Sequence, residues 1–295
     1  MNNSLLEFHI NTRTIKTISR LLKPLSNIAK KISHPKEGQR VILMYHGISK
    51  SPKFNCVTQS LLREQISWLK EKYFVVPLNT LIESLDSDSF MAHSNLASIT
   101  FDDGYNSFAE LALPVLQALN CHATVFIPSG KAGSCNDWEE NSDEFYKMKI
   151  MSYEAIRQLP IESVEIGSHG ISHIALNRLS FREIERELVE SSLEIEQNIS
   201  RPVRFFAFPY GVYPFKHRHR LYDDKAKLFL GGYKAACTTW WGRYNSLKDT
   251  NRLRRIGIWD SDSFDDFTDK LNGYYDWLVG KERIGRGLKI IRSFL

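Results

Sequence analysis

The chain has 295 residues, of which 42% are hydrophobic and 12% aromatic, so it can bury a substantial core and is not a disordered protein. Its four cysteines are irregularly spaced and form no C-x-x-C, which excludes a disulfide scaffold and favours thiols in a reducing compartment. The net charge of +5 is uneven: residues 13–40 carry +7 and residues 281–295 carry +4, which leaves −6 for the rest. This distribution argues against a nucleic-acid-binding domain, because the middle of the chain is acidic.

A basic amphipathic segment opens the chain. Apolar residues recur every three or four positions from Ile15 to Ile32, with basic residues between them and an interruption at Pro24. The segment 286–292 is also apolar and basic, so both flanks suit an anionic membrane surface, while helices packed against the protein itself are an equal alternative. We find no apolar run long enough for a signal-peptide core or a membrane span. We therefore expect a cytoplasmic protein, either soluble or associated peripherally with the inner face of the membrane.

Between the flanks, predicted strands and helices alternate. The strands are predicted, in chain order, at 40–45, 73–76, 98–101, 123–127, 164–166, 205–208, 235–239 and 253–258. Helices are predicted at 58–72, 108–119, 152–158 and 181–199. The last helix begins after Ser180 with an S-x-x-E capping box, and the polar segment 131–148 is predicted to be a long loop. Strands separated by helices predict parallel pairing, in a doubly wound sheet or a barrel.

Polar residues follow several predicted strands directly. Catalytic groups of such folds lie at the carboxyl ends of the strands, because the loops there meet on one face. The residues at these positions are His46, the pair Asp102 and Asp103, the segment 167–173 and the segment 209–211. Two adjacent carboxylates make each other harder to ionise, so the pair at 102–103 needs a compensating positive charge.

His169 and His173 are four residues apart, and their imidazoles lie on one face if the segment is helical. Taken alone, this pair is more typical of ordinary polar residues. With a carboxylate from a neighbouring strand end it supplies the three ligands of a catalytic zinc site. If Asp103 is that carboxylate, the metal neutralises its charge and Asp102 is free to act as a base, while Gly104 allows a tight turn.

Three motifs in this order resemble those of the polysaccharide deacetylase family, also called the NodB-homology or carbohydrate esterase family 4 domain. They are T-F-D-D-G at 100–104, H-x-x-x-H at 169–173 after Gly-Ser, and F-x-x-P-Y-G at 206–211. The resemblance covers about residues 40–278 and implies a distorted (β/α) barrel. It also implies metal-dependent hydrolysis of an N-acetyl or related N-acyl group on an amino sugar. We assign residues 1–39 and 279–295 to the basic helical flanks.

The resemblance assigns roles to five residues by motif matching. Asp102 is the expected base, Asp103, His169 and His173 the expected ligands of Zn²⁺, with Co²⁺ or Ni²⁺ as alternatives, and the backbone N–H of Tyr210 part of the expected oxyanion hole. The expected substrate is an N-acetylated glycan or a lipid-linked sugar. The basic run 216–220 is a candidate for contacts with acidic groups of a substrate, although a solvated loop is the simpler interpretation.

The sequence departs from the family pattern at two places. Ala207 replaces the arginine of the R-P-P-Y motif, which braces the catalytic aspartate, and no L-x-H motif follows to supply the general acid. The segment 43–47 resembles circularly permuted members, in which a histidine after the first strand is the acid, and this implies His46. Late segments of the same subgroup imply that Arg255 replaces the missing arginine. The alternatives are a strand-end histidine without a catalytic role and an arginine in a structural ion pair.

Two rival functions stay open. Two histidines and a carboxylate are also the ligands of non-haem iron oxygenases, although none of the nine histidines has the H-x-[D/E] spacing of that class. The other rival is a carbohydrate-binding relic of the fold without activity, which the survival of base, ligands and candidate acid disfavours.

Overall fold

Mainly apolar runs form the main strands in the computed structural model, which describes residues 17, 18, 21, 38–86, 94–138, 147–217, 221–223, 228, 229 and 231–279. Every residue is buried in β1 (Arg40–Tyr45), β5 (Leu96–Phe101) and β6 (Ala123–Ile127), as is typical of parallel strands covered on both faces. The other strands of the main sheet are β4 (Phe74–Val75), β7 (Val164–Ser168), β8 (Phe205–Ala207), β11 (Ala235–Trp241) and β12 (Leu253–Gly257). Two short pairs are β2 (Gly47–Ser49) with β3 (Cys56–Thr58) and β9 (Tyr222–Asp223) with β10 (Leu228–Phe229).

Seven strands of the described part close into a parallel barrel, in the order β1-β12-β11-β8-β7-β6-β5 and back to β1. The short strand β4 pairs with the first two residues of β5. The barrel is distorted at two places. β7 and β8 share the single pair Ser168 and Phe206, and the register of β11 against β12 shifts between Cys237 and Trp241. The predicted distorted (β/α) barrel is therefore confirmed.

Helices follow most of the strands, as the parallel pairing requires. They are α1 (Gln59–Lys72), α2 (Leu78–Glu83), α3 (Leu113–Ala118), α4 (Tyr153–Arg157), α5 (Phe181–Ile199) and α6 (Phe264–Leu271). Side chains of Thr58 and Ser152 cap α1 and α4, and Ser180 forms the predicted capping box with Glu183 at the start of α5. The helices α2 and α6 were not predicted.

The helix predicted at 108–119 begins with a π-helical turn, Phe108–Ala112, before α3. Pro114 has no N–H to donate to the carbonyl of residue 110, and the N–H of Leu113 bonds to the carbonyl of Phe108 five residues earlier. The proline thus explains the wider turn.

The core lies on both sides of the strands. Alternate residues of β1 enter different clusters, with Val41 and Leu43 in the larger one and Ile42 in the smaller one. The smaller cluster also holds Phe126 and Phe205 and is covered by α2. Close packing on both sides holds the strand ends in fixed positions, and so it also fixes the starting points of the loops that follow them.

The basic flanks fall almost wholly outside the described residues, as does part of the basic run 216–220. The flank helices and the boundaries 1–39, 40–278 and 279–295 therefore stay predictions. Within the described ranges, no helix is long and apolar enough to cross a membrane.

Candidate metal centre and active site

The predicted site residues lie at the carboxyl end of the barrel. Asp102 and Asp103 directly follow β5, and β5 has β1 and β6 as neighbours. The other members are His46 after β1, His169 and His173 after β7, Tyr210 after β8 and Arg255 within β12.

Arg255 is fully buried beside Asp102. Its two terminal guanidinium nitrogens donate to the two carboxylate oxygens of Asp102, each at 2.7 Å. Its Nε donates to the carbonyl of Thr238 at 2.9 Å, and one terminal nitrogen also reaches the hydroxyl of Thr100 at 3.2 Å. A planar guanidinium that meets both carboxylate oxygens fixes their orientation. The structure thus places Arg255 against Asp102, the aspartate that the absent arginine of the R-P-P-Y motif would brace.

Opposing effects act on the pKa of Asp102. Burial raises it, because a charged carboxylate loses its hydration, while the charge and hydrogen bonds of Arg255 lower it. The net result is a pKa below the ordinary value of an aspartate. Asp102 is therefore ionised at neutral pH, as a general base must be.

Asp103 has a left-handed backbone with φ of 69°, and Gly104 follows with φ of 64°. A side chain on Gly104 would also place its Cβ only 2.6 Å from a methyl of Ile127, so the predicted need for glycine at this turn is confirmed. The left-handed conformation of an aspartate costs about 1 kcal/mol or more and is typical of functional sites.

The carboxylate of Asp103 faces the two histidines. Its Oδ1 lies 3.1 Å from Nε2 of His173 and 3.5 Å from Nε2 of His169. Burial raises the pKa of Asp103, but its hydrogen bonds to both imidazoles more than offset this and hold it well below the usual range.

The segment 169–173 is not a helix, so the prediction that the two histidines share a helical face is wrong. It is an irregular loop in which Gly170 has φ of 79° and His173 has φ of 56°. These two left-handed residues bring the imidazole rings within 4.9 Å of each other. The loop does not become a helix because its amides bond to groups outside it, namely the hydroxyl of Ser168 and the carboxylate of Glu187.

The tautomer of His169 is set by its surroundings. Its Nδ1 lies 2.7 Å from the backbone carbonyl of Ala207, to which it donates. When a metal is bound, Nε2 can therefore present its lone pair on the side of Asp103, the usual arrangement in a ligating histidine. Ala207, at the position of the missing motif arginine, thus contributes through its backbone.

The donor set fits a divalent metal ion. One ligand atom from each of Asp103, His169 and His173 lies within 4.8 Å of the other two, and all three residues are buried. Two imidazole nitrogens and one carboxylate oxygen are borderline ligands that suit Zn²⁺ and similar ions. In the metal-free protein, burial lowers the pKa of His173 and so favours its neutral, ligating form. Burial also lowers the pKa of His169, but the hydrogen bond to Asp103 overcomes this and raises it.

His46 stacks on the indole of Trp259, with ring centroids 5.3 Å apart. It is half-buried, and its Nδ1 makes no hydrogen bond to the described residues. The nearby imidazole of His46 is also among the smaller influences that lower the pKa of Asp102 and Asp103, so His46 lies close to both carboxylates. Trp259 was not predicted, although it stands directly after the strand predicted at 253–258, and so two residues after β12, and carries the strand-end signal used for the others.

Tyr210 lies in the 3₁₀ turn Pro209–Gly211 with a left-handed φ of 57°. Its ring is about half exposed, and its centroid lies 4.9 Å from that of His173. Gly211 has φ of 65°, and a Cβ there would lie 2.0 Å from the hydroxyl oxygen of Thr239. The turn after β8 therefore depends on glycine.

Trp138 stacks on His173, with ring centroids 3.9 Å apart. Trp138 lies in the polar segment 131–148, which the sequence predicts to be a long loop, and no role is predicted for it. A single tryptophan within a polar segment is the signal that indicates its place in the site.

Residues 92–226 match the family model described as polysaccharide deacetylase. This part of the chain is similar to the polysaccharide deacetylase family. The matched range includes Asp102, Asp103, His169, His173 and Tyr210, while His46 and Arg255 lie outside it.

Curated relatives are similar over part of the chain. The poly-beta-1,6-N-acetyl-D-glucosamine N-deacetylase of Staphylococcus aureus (strain N315) is 25% identical over 209 residues, which cover 62% of this chain and 68% of the relative. The YxkH protein of Bacillus subtilis (strain 168) is 23% identical over 182 residues, or 62% of this chain. The chain spans about 60% of the length of YxkH.

Solved structures share the deacetylase-family fold. The Streptococcus pyogenes deacetylase PplD, in complex with acetate, superposes with a TM-score of 0.62 at 20% identity, over 79% of this chain and 98% of PplD. IcaB from Ammonifex degensii gives a TM-score of 0.64 at 19% identity, over 84% of this chain and 100% of IcaB. At these identities the likeness establishes the fold.

Proposed function

We propose that the protein is a metal-dependent hydrolase that removes N-acetyl or related N-acyl groups from amino sugars of a polysaccharide or a cell-surface glycan precursor. The observation that carries the proposal is the buried cluster of Asp103, His169 and His173 beside the Asp102–Arg255 pair, within a domain that matches the deacetylase family. The cluster provides ligands and the pair provides a base, which are the two requirements for attack of water on an amide.

Asp103, His169 and His173 are the ligands in this proposal. A divalent ion held there, Zn²⁺ first and Co²⁺ or Ni²⁺ as alternatives, would polarise the amide carbonyl and acidify the attacking water. Asp102 accepts the proton of that water. Arg255 keeps Asp102 ionised and holds its two oxygens in place, so the base does not rotate away from the proton it takes.

His46 and Tyr210 complete the reaction in this proposal. The backbone N–H of Tyr210 donates to the carbonyl oxygen as negative charge develops on it. His46, stacked on Trp259, gives a proton to the amine nitrogen while the C–N bond breaks. The products are the free amino sugar and the carboxylate of the acyl group.

The two rival functions have less support. The family match and the fold favour hydrolysis over oxygenation by a two-histidine, one-carboxylate iron site. The buried ligand cluster and the ion pair at Asp102 favour an active enzyme over a binding relic, because such costly buried charges are typical of working sites.

The test is product mass spectrometry on N-acetylated glycans, with poly-β-1,6-N-acetylglucosamine and lipid-linked N-acetyl sugars in the panel. The expected result is the loss of one acetyl mass with release of acetate, abolished by a chelator and by Asp102→Asn. Unchanged masses across the panel in metal-loaded protein, or oxygen uptake in place of acetate release, would contradict the proposal.

The place of action is part of the same proposal. The basic flanks would hold the enzyme at the anionic inner face of the membrane, where it would act on an intermediate before export. Sedimentation with anionic and neutral vesicles at low and high salt tests this with full-length protein and a version that starts at Glu37. Salt-sensitive binding to anionic vesicles by the full-length protein alone is expected, and its absence at low salt would leave the flanks as packing elements.

A further inference from the structure

Glu187 is a buried acidic residue on α5 that points to the loop carrying the two histidines. Its Oε2 accepts the backbone N–H of Ile171 at 2.6 Å and that of Ser172 at 3.2 Å. Its Oε1 accepts the hydroxyl of Ser172 at 2.5 Å. One carboxylate thus binds three donors, all of them between His169 and His173.

The remaining groups of this loop are held from other elements. The N–H of Gly170 donates to the hydroxyl of Ser168, and the carbonyls of Gly170 and Ile171 accept the N–H groups of Ser129 and Gly130. These contacts position the first half of the loop. Glu187 is the partner of the second half, directly before His173.

The loop needs such a partner because of its backbone. His173 has a left-handed φ of 56°, a conformation that is unfavourable for a residue with a side chain. The N–H groups of Ile171 and Ser172 point to α5, where they would be left partly buried without acceptors if the carboxylate were absent. A charged acceptor makes stronger hydrogen bonds than a neutral one and so holds this shape more firmly.

Glycine at 170 fits the same arrangement. A Cβ there would lie 2.8 Å from Oε2 of Glu187, so the loop and the carboxylate are in close contact. The approach leaves little freedom for the peptide planes that precede His173.

We propose that Glu187 is a positioning residue of the metal centre, which holds the 169–173 loop so that Nε2 of His173 faces Asp103. The inference rests on the proposed function for the identity of the ligands, but it concerns metal affinity and needs no substrate. Groups that orient ligating histidines change metal affinity by about ten- to a hundredfold when they are removed.

The experiment is isothermal titration calorimetry of metal-free full-length protein with Zn²⁺, at a temperature well below the unfolding midpoint of each variant. Glu187→Gln keeps the size of the side chain but replaces one acceptor oxygen by an NH₂ that faces donors. We expect its dissociation constant for Zn²⁺ to rise by about ten- to a hundredfold. The Co²⁺-loaded variant should also show an altered visible absorption spectrum, since the ligand geometry changes.

Glu190→Gln is the matched control. It lies on the same helix, is exposed and pairs with Arg186 four residues earlier, so its Zn²⁺ affinity should equal that of the wild type. Ser172→Ala removes one of the three bonds and should raise the dissociation constant by a smaller factor, in a variant with little risk of misfolding.

A purely structural role of Glu187 would lower the unfolding temperature and leave both the Zn²⁺ affinity and the Co²⁺ spectrum of the folded protein unchanged. That result would overturn the inference. If Glu187→Gln does not fold, Ser172→Ala decides, and an unchanged affinity there has the same meaning. Tight Zn²⁺ binding by the wild type without deacetylation would instead contradict the proposed function alone.

Discussion

Asp102 and Asp103 follow the same strand, are both buried and have opposite surroundings. Asp102 is bound through both oxygens by Arg255, a cation that the protein itself supplies from β12. Asp103 faces two imidazole nitrogens from the loop after β7, an arrangement suited to a cation from solution. Two neighbouring carboxylates can both ionise here because each has its own source of positive charge. This difference in partners suits Asp102 to the role of a base and Asp103 to the role of a metal ligand.

Removal of a ligand from the proposed metal site of Asp103 should have the largest effect on activity. Asp103→Ala or His169→Ala leaves two ligands, so we expect loss of bound metal and of activity together, by about a thousandfold or more in kcat/KM. Metal content after dialysis and kcat/KM on the responsive substrate measure this. Full metal content in His169→Ala would contradict its role as a ligand.

Asp102→Asn tests the proposed role of Asp102 as the base. We expect kcat to fall by about a hundredfold or more, the scale of a general base, while the metal content stays that of the wild type. Circular dichroism should verify that the variant is folded, since Arg255 keeps a polar partner. An active Asp102→Asn, or one without metal, would break the division between the two carboxylates.

His46→Ala extends the comparison of Asp102 and Asp103 to the third proposed role, that of the proton donor. We expect retained metal, kcat reduced by about a hundredfold, and a basic limb of the pH profile that is flattened or shifted. Trp259→Phe, which keeps an aromatic partner for the imidazole, is the milder companion variant. Near-normal turnover with an unchanged pH profile in His46→Ala would assign the acid to another residue.

Arg255→Lys should have the smallest effect on catalysis and a clear effect on stability. It keeps a charge but loses the two-pronged contact, so we expect kcat to fall by about tenfold. The pKa of Asp102 is lowered in the folded protein, so its contribution to stability is present above about pH 4 and is lost as pH falls through the folded pKa.

The lysine variant should raise the pKa of Asp102 towards or above the ordinary value. Its destabilisation of the metal-free protein relative to the wild type should therefore grow as pH rises from the lowered pKa of the wild type, below about 4, to the higher pKa of the variant, and should stay constant above that. Urea unfolding of both proteins across this range measures the difference. A destabilisation independent of pH would mean that Arg255 contributes through packing and not through the charge of Asp102.

Local patterns predicted much of the site. The residues at the strand ends were found because an apolar β-branched run followed by an acidic pair, or by Gly-Ser-His, has few structural explanations. Glu187 was not found, because a glutamate in an amphipathic helix is usually solvated. Its place three residues after the buried Ile184, on the same stripe as Ser191, was the available signal.

Other features depended on elements that are far apart along the chain. Arg255 is 153 residues from Asp102, and the two meet because β12 and β5 are both neighbours of β1 in the closed barrel. The closeness of His169 and His173 came from two left-handed residues and from acceptors on other elements, whereas the sequence spacing predicted a shared helical face.

The sequence by itself determined the alternation of strands and helices, the capped start of α5, and which polar residues stand at strand ends, because these depend on side-chain periodicity and local hydrogen bonds. The tertiary structure decided which cation each carboxylate meets and how the ligand loop is held. These contacts arise from ring closure and from packing between distant segments, and no local pattern of residues encodes the strand order that brings them together.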